Sequence, residues 1–176
     1  MSYNTILVEK DGPALIVTRN RPESRNSFSV ELMGELAAAA QEGQDDPEIF
    51  GVIVTGGDKY FASGADLNEA LALAGPKSVV DYLANWEKLC RAMEELEIPV
   101  IAAIEGFCMT GGAEFILCCD IRVGAEGSSY GITSSRIGTV AGAGGTQRLP
   151  RIVGVGAALE MMLMGDPVQA DEAYRI

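Results

Sequence analysis

Short apolar runs of strand length alternate along the chain with longer stretches whose apolar residues recur at helical spacing. Thr5 to Val8 and Ala14 to Thr18 are β-branched runs around Asp11-Gly12-Pro13, which predicts a hairpin. Asn20-Arg21-Pro22 ends the second strand, because proline brings no donor to a ladder. Ser29 is placed to cap a helix beginning near Val30, with Leu32, Met33, Leu36, Ala39 and Ala40 on one stripe and Asp45-Asp46-Pro47 closing it. Val52 to Thr55 is continuously apolar between Gly51 and Gly56-Gly57, the pattern of a strand buried on both faces. Asn68 to Leu73 predicts a short helix that ends at Gly75-Pro76. Lys77 to Leu96 predicts a long amphipathic helix, with Val79, Val80, Leu83, Trp86, Leu89, Cys90, Met93 and Leu96 near a period of about 3.6 residues.

Ile98 to Ile104 reads as the next buried strand, Gly111 to Cys119 as helix, Ile121 to Val123 as strand and Ser129 to Ile132 as another. The glycine-rich segment Ile137 to Gly145 precedes Thr146-Gln147-Arg148-Leu149-Pro150; Ala157 to Met164 is again helical, and Gly165-Asp166-Pro167 turns the chain. Gln169 to Ile176 reads as the first turns of a helix, and the sequence stops inside that pattern without a cap, so a shortened chain is expected. Strands and helices in such close alternation predict α/β architecture. No low-complexity segment and no sequence repeat of fixed period accompanies it.

With 176 residues and 48 % hydrophobic content, residues 1–176 are expected to form one folded domain with its own core. A net charge of −12 argues against a nucleic-acid surface, which needs a basic field, although Lys and Arg can still gather locally around an anionic ligand. The absence of histidine removes Ser-His-Asp and Cys-His catalysis and most zinc sites, and no metal is expected. Cys90, Cys108, Cys118 and Cys119 lack CxxC spacing and read as buried reduced thiols. Met1 to Lys10 has no basic region followed by an apolar one, and no apolar run is long enough for a bilayer. A cytoplasmic protein without a membrane partner is expected.

Two glycine-bearing loops, Phe61-Ala62-Ser63-Gly64-Ala65-Asp66 and Gly106 to Glu114, each follow a strand-like run and open onto a helical pattern. Neither carries GxGxxG or GxxxxGK[ST], so a nucleotide-binding domain is a weak reading. Taken singly, each loop is a tight turn. Taken together, two helix N-termini can aim unpaired N–H groups at one developing negative charge. Glu114 lies one helical turn beyond Gly111, among the apolar Phe115, Ile116 and Leu117. It is either a first-turn Glu that offsets the helix dipole or a desolvated carboxyl suited to acid/base work. Asp66 reads as the N-cap of the helix starting near Leu67; Arg148 and Arg151 read as ion-pair partners or as contacts of an anionic ligand.

At these residues the chain resembles the crotonase superfamily, the enoyl-CoA hydratases and isomerases. Asn20-Arg21-Pro22-Glu23-Ser24-Arg25-Asn26-Ser27 is similar to the family's RPxxxNA segment, and Phe61 to Leu67 to its FxxGxDL loop. Gly106 to Glu114 with Cys119-Asp120-Ile121-Arg122 is similar to its G(x)4GGxE…CDIR block, and Gly138 to Leu149 to the segment that closes its active site. The resemblance implies an α/β spiral of ββα turns lacking the family's C-terminal helices, with an exposed apolar surface where they would pack. It also implies an acyl-CoA thioester as the partner and assembly into trimers or dimers of trimers. Coenzyme A is then part of the substrate, and no separate cofactor is expected.

Carried over residue by residue, the resemblance puts oxyanion donors on the N–H groups of Ala65 and Gly111 and the first catalytic carboxylate on Glu114. It puts contacts to the CoA moiety on Arg25 and on the loop Ala62, Gly64, Asp66 and Leu67, and the acyl pocket on Phe107, Thr133 and Gly142. The family's hydratases have a second Glu where this chain has Ser134, which can hold a water but cannot serve as a carboxylate base. An enoyl-CoA hydratase-type lyase is the leading expectation. The alternatives are double-bond isomerisation or decarboxylation, which need one proton-transfer group, and a catalytically silent acyl-CoA-binding subunit.

Overall fold

The two β-branched runs form the hairpin: β1 (Ile6–Asp11) pairs antiparallel with β2 (Ala14–Arg19) across Gly12. The structure, a computed structural model, describes residues 2–176. Helix α1 (Val30–Asp45) starts where the Ser29 hydroxyl accepts the Leu32 N–H at 3.1 Å, and its predicted stripe is buried. From there the chain alternates between two sheets. Strands β3 (Gly51–Thr55), β5 (Val100–Ile104) and β7 (Ile121–Gly124) extend the first sheet in parallel, giving the order β1-β2-β3-β5-β7. Each is followed by a strand of the second sheet: β4 (Tyr60–Ala62), β6 (Phe107–Met109) and β8 (Ser129–Gly131), also parallel.

Helices complete each turn: α2 (Leu67–Leu71) and α3 (Pro76–Glu94) after β4, and α4 (Gly111–Ile116) after β6. A 3-10 turn at Ser134–Ile137 and then α5 (Gly145–Val153) follow β8. The result is a spiral of ββα turns, each giving one strand to each sheet. Helix α6 (Val155–Met164), strand β9 (Val168–Gln169), antiparallel to β8, and α7 (Ala170–Arg175) follow. No described helix is long and apolar enough to cross a membrane. All four cysteines are buried free thiols.

Several expectations shift. Val52 to Thr55 is expected to be buried on both faces and Ile98 to Ile104 to be a buried strand, yet β3 and β5 bury only alternate residues fully. Val52, Val54, Val100, Ala102 and Ile104 face the core, while Ile53, Ile101 and Ala103 are partly open, because the far face of this sheet has no full helical cover. On α3, Trp86, Leu89, Cys90 and Met93 are buried, but Val79, Val80 and Leu83 are exposed. The first half of the helix runs past the edge of the core, and Tyr82 is its buried residue there. Helix α4 stops at Ile116 rather than Cys119, where Leu117 begins a turn. Helix α5 is not among the expected elements; Pro150 lies inside it, and the buried Leu149 anchors it.

Candidate active site

Ala65 and Gly111 are brought side by side. Ala65 forms a parallel bridge with Phe28, whose N–H donates to Gly64 O at 2.8 Å and whose C=O accepts the Asp66 N–H at 2.9 Å. In such a bridge the middle residue's own N–H points the other way, so Ala65 aims its donor away from Phe28. On the far side lies the start of α4. A Cβ placed on Gly111 would stand 3.3 Å from the Ala65 nitrogen, and one on Gly64 would stand 3.1 Å from Thr110 Cβ.

Thr110 makes the turn into α4 at a cost. Its φ is +49°, a region a β-branched residue rarely enters. It is held there by its N–H on Gly131 O at 2.6 Å and by a hydroxyl contact with Thr133 Oγ1 at 3.0 Å. The strained turn leaves Gly111 as the first residue of the helix, where an N–H has no partner within the helix.

Glu114, in the first turn of α4, is 3 % exposed. Burial pushes its pKa up from 4.5 to about 7, against the pull of the Gly145 and Ala143 N–H groups and of the Arg148 charge. The Gly145 N–H donates to Glu114 Oε2 at 2.8 Å. A Cβ on Gly145 would lie 2.9 Å from both Cγ and Oε2 of Glu114, so only glycine lets the backbone come this close. Arg148 is more than a surface ion pair. It grips Glu94 with two bonds of 2.6 and 2.9 Å and donates to Ala143 O at 3.2 Å, fixing the loop that holds Glu114. Trp86 lies over Gly111, with ring carbons 2.6 and 2.9 Å from where its Cβ would be. Gly145 and Ala143 have no site role in the sequence reading, Arg148 is read there as an ion-pair partner or anion contact, and Trp86 as one of an apolar stripe; the signal for Gly145 is its place in the glycine run that is similar to the family's closing segment.

Asp66 does cap α2, accepting the Asn68 N–H at 3.0 Å, and it also binds Arg21 at 2.9 Å. Burial raises its pKa, but the Arg21 bond and the Asn68 and Glu69 N–H groups outweigh this and hold it below the usual range. Its stabilising contribution is therefore present above the ordinary Asp range and is lost as pH falls through the depressed value. Replacing Asp66 by Ala is expected to cost about 3 kcal/mol at pH 7, because Arg21 loses its anion and α2 its cap. Urea unfolding measures this; a loss near zero would mean the pair contributes nothing.

The remaining site residues lie on the neighbouring loops and strands. The Arg25 side chain is exposed, and its C=O accepts the Ser63 N–H at 3.1 Å, which ties the segment before α1 to the Ala62 to Leu67 loop. Leu67 is exposed. Ser134 is buried at the first position of the 3-10 turn, after Thr133. Gly142 is exposed and packs near Leu83 of α3, to which a Cβ would approach within 3.4 Å. Phe107 lies at the other end of β6 from Thr110, with its ring 5.0 Å from that of Tyr60. No group of three or more His, Cys, Asp or Glu side chains among the described residues could hold a metal ion.

Two N–H groups that converge beside a buried carboxyl with a pKa near neutrality can hold a developing oxyanion while one proton moves. Comparison with known proteins agrees in family. The model of the enoyl-CoA hydratase/isomerase family matches residues 9–176. Crotonyl-CoA hydratase of Syntrophomonas wolfei is 38 % identical over 177 residues, covering 100 % of this chain and 68 % of the relative. Short-chain-enoyl-CoA hydratase of Clostridium acetobutylicum is 38 % identical over 180 residues, covering 100 % of this chain and 67 % of the relative. The crystal structure of enoyl-CoA hydratase from Bacillus anthracis superposes with a TM-score of 0.92 at 36 % identity, over 98 % of this chain and 67 % of that one. Similarity of this extent makes the chain a member of the enoyl-CoA hydratase/isomerase family, within the crotonase superfamily.

Proposed function

We propose that the site hydrates a 2-enoyl-CoA thioester by way of an enolate. The thioester oxygen accepts the Ala65 and Gly111 N–H groups. Glu114 takes a proton from water as the water oxygen bonds to Cβ, and the electron pair of the Cα=Cβ bond moves onto the thioester oxygen. Glu114 then gives that proton to Cα, so H and OH are added and the carboxylate is restored. The buried Ser134 hydroxyl holds the attacking water, Arg25 and the Ala62 to Leu67 loop receive the CoA moiety, and Thr133 and Gly142 line the acyl chain.

The observation that carries this reading concerns the buried carboxylates. Among the described residues these are Asp66 and Glu114. Asp66 is occupied by Arg21 and Asn68. Glu114 has no ion pair, and its pKa of about 7 suits a group that must both take and give a proton. The names of the two curated relatives support a short enoyl chain. The test is incubation with crotonyl-CoA, with loss of enoyl absorbance as the expected result; binding by calorimetry without turnover of any enoyl thioester would mean a silent acyl-CoA-binding subunit. Ser134 favours a second reading, isomerisation or decarboxylation with Glu114 alone. Turnover of a 3-enoyl-CoA or a malonyl-type thioester, with crotonyl-CoA untouched, would establish it.

The base role fixes a pH dependence. Only the carboxylate can accept a proton, so kcat/KM is expected to rise with pH through a midpoint near 7. Arg148 lowers the Glu114 pKa, so Arg148→Met is expected to move that midpoint upward. A profile flat between pH 5.5 and 8.5, roughly a unit and a half either side of the midpoint, would remove Glu114 as the base.

A further inference from the structure

Arg19 closes β2 on the core-facing side with Leu15 and Val17 and is only 2 % exposed. Its Nε reaches Thr55 O at 3.5 Å, and neither terminal nitrogen has a hydrogen-bond partner. The guanidinium carbon stands 3.7 Å from the Phe61 ring centroid and 5.3 Å from that of Phe28. Burial lowers its pKa only to about 10, so it remains a cation at neutral pH, while burial pushes its Cys108 and Cys119 neighbours up and keeps them neutral. An unpaired buried cation is unfavourable, and stacking on two rings offsets only part of that cost. An apolar side chain of the same length would pack this position better.

The two rings under Arg19 belong to residues that fix the donor pair. Phe61 opens the loop that carries Ala65. Phe28 holds that loop through both of its backbone groups, and its ring meets Trp86, 4.9 Å away, which covers Gly111. We infer that Arg19 is a positioning residue for the Ala65 and Gly111 donors, acting through the Phe61 and Phe28 rings on which it stacks. This rests on the reading of the site given under Proposed function. A side chain that holds both rings acts on the donor pair through the loop and the indole they fix, without touching the substrate.

The test compares Arg19→Met and Arg19→Gln in the intact chain. The readouts are kcat and KM with crotonyl-CoA, the enolate fraction of bound acetoacetyl-CoA by near-ultraviolet absorbance, and the thermal midpoint. Both variants remove the cation stacked on the two rings and are expected to lose about tenfold in kcat, less than the roughly 10²-fold loss of a whole oxyanion donor, with KM within about twofold. Both lose enolate absorbance alike, although Met holds or raises the thermal midpoint and Gln lowers it. Loss of kcat and enolate that tracks stability, with Gln impaired and Met not, would overturn the role and leave Arg19 as packing. Wild-type turnover with Arg19→Met unchanged would overturn the role of Arg19 alone. A wild-type chain that neither turns over crotonyl-CoA nor enolises acetoacetyl-CoA would overturn the reading of the site as well.

Discussion

Replacing Glu114 by Gln is expected to lower kcat/KM on crotonyl-CoA by roughly 10³-fold, the middle of the range for a positioned acid/base. The same change is expected to make the protein more stable above pH 7. Glu114 is an ordinary carboxyl of pKa 4.5 when unfolded and one of about 7 when folded. Between those values the folded chain binds more protons than the unfolded one. The contribution of this group to stability is thus complete below pH 4.5 and is lost as pH rises through 7. At pH 8 an ionised, buried Glu114 costs up to about 3 kcal/mol. Gln fills the same space, and its carbonyl can still accept the Gly145 N–H, but its NH₂ group needs a partner of its own. A net gain of about 1–2 kcal/mol at pH 8 is therefore expected. Urea unfolding of both proteins at pH 5 and pH 8 separates the outcomes. Unchanged activity would remove the acid/base role, and parallel stability curves would mean that the carboxyl is not strained by burial.

That trade between stability and reactivity was legible in the sequence only in part. Glu114 could be read as a desolvated carboxyl because Phe115, Ile116 and Leu117 follow it. Its partner Gly145 could not be placed, since the contact spans 31 positions and depends on α5 folding back onto α4. Local chemistry was readable wherever it acts within a few residues: the Ser29 cap, the Asp66 cap and the hairpin all formed as expected. Asp66 also binds Arg21, a second role set by a strand end 45 positions away. Periodicity failed on α3, where Val79, Val80 and Leu83 keep the helical spacing but lie beyond the core. Spacing tells which residues share a face, not whether anything covers it. The spiral leaves no sequence repeat, because each ββα turn meets the same backbone geometry with different side chains. The strain at Thr110 has no sequence signature either: the residue is unexceptional, and its φ of +49° is imposed by Gly131 and Thr133 from the next turn of the spiral.

Gly111→Ala is expected to separate two effects that a glycine at this position combines. Gly111 is not among the residues with positive φ, so alanine meets no backbone strain, and alanine is the better helix former by about 1 kcal/mol. Any loss must then come from the space the methyl enters. On one side it meets Trp86 ring carbons at 2.6 and 2.9 Å, so the indole must shift, and with it Phe28, whose ring is 4.9 Å from that of Trp86. On the other side it stands 3.3 Å from the Ala65 nitrogen. A methyl there crowds the Ala65 N–H and the oxygen that accepts from it. Gly111→Ala is therefore expected to lose roughly 10²-fold in kcat, as for removal of one oxyanion donor. It is also expected to lose about 1–3 kcal/mol of stability through overpacking. Adding Trp86→Phe removes both colliding ring carbons. The double variant is expected to unfold at a higher urea concentration than Gly111→Ala, yet to keep its depressed kcat, because the methyl beside Ala65 remains. If kcat recovered with stability, the defect would lie in the displaced indole. If Gly111→Ala turned over at the wild-type rate, the paired donors would have no part in the reaction.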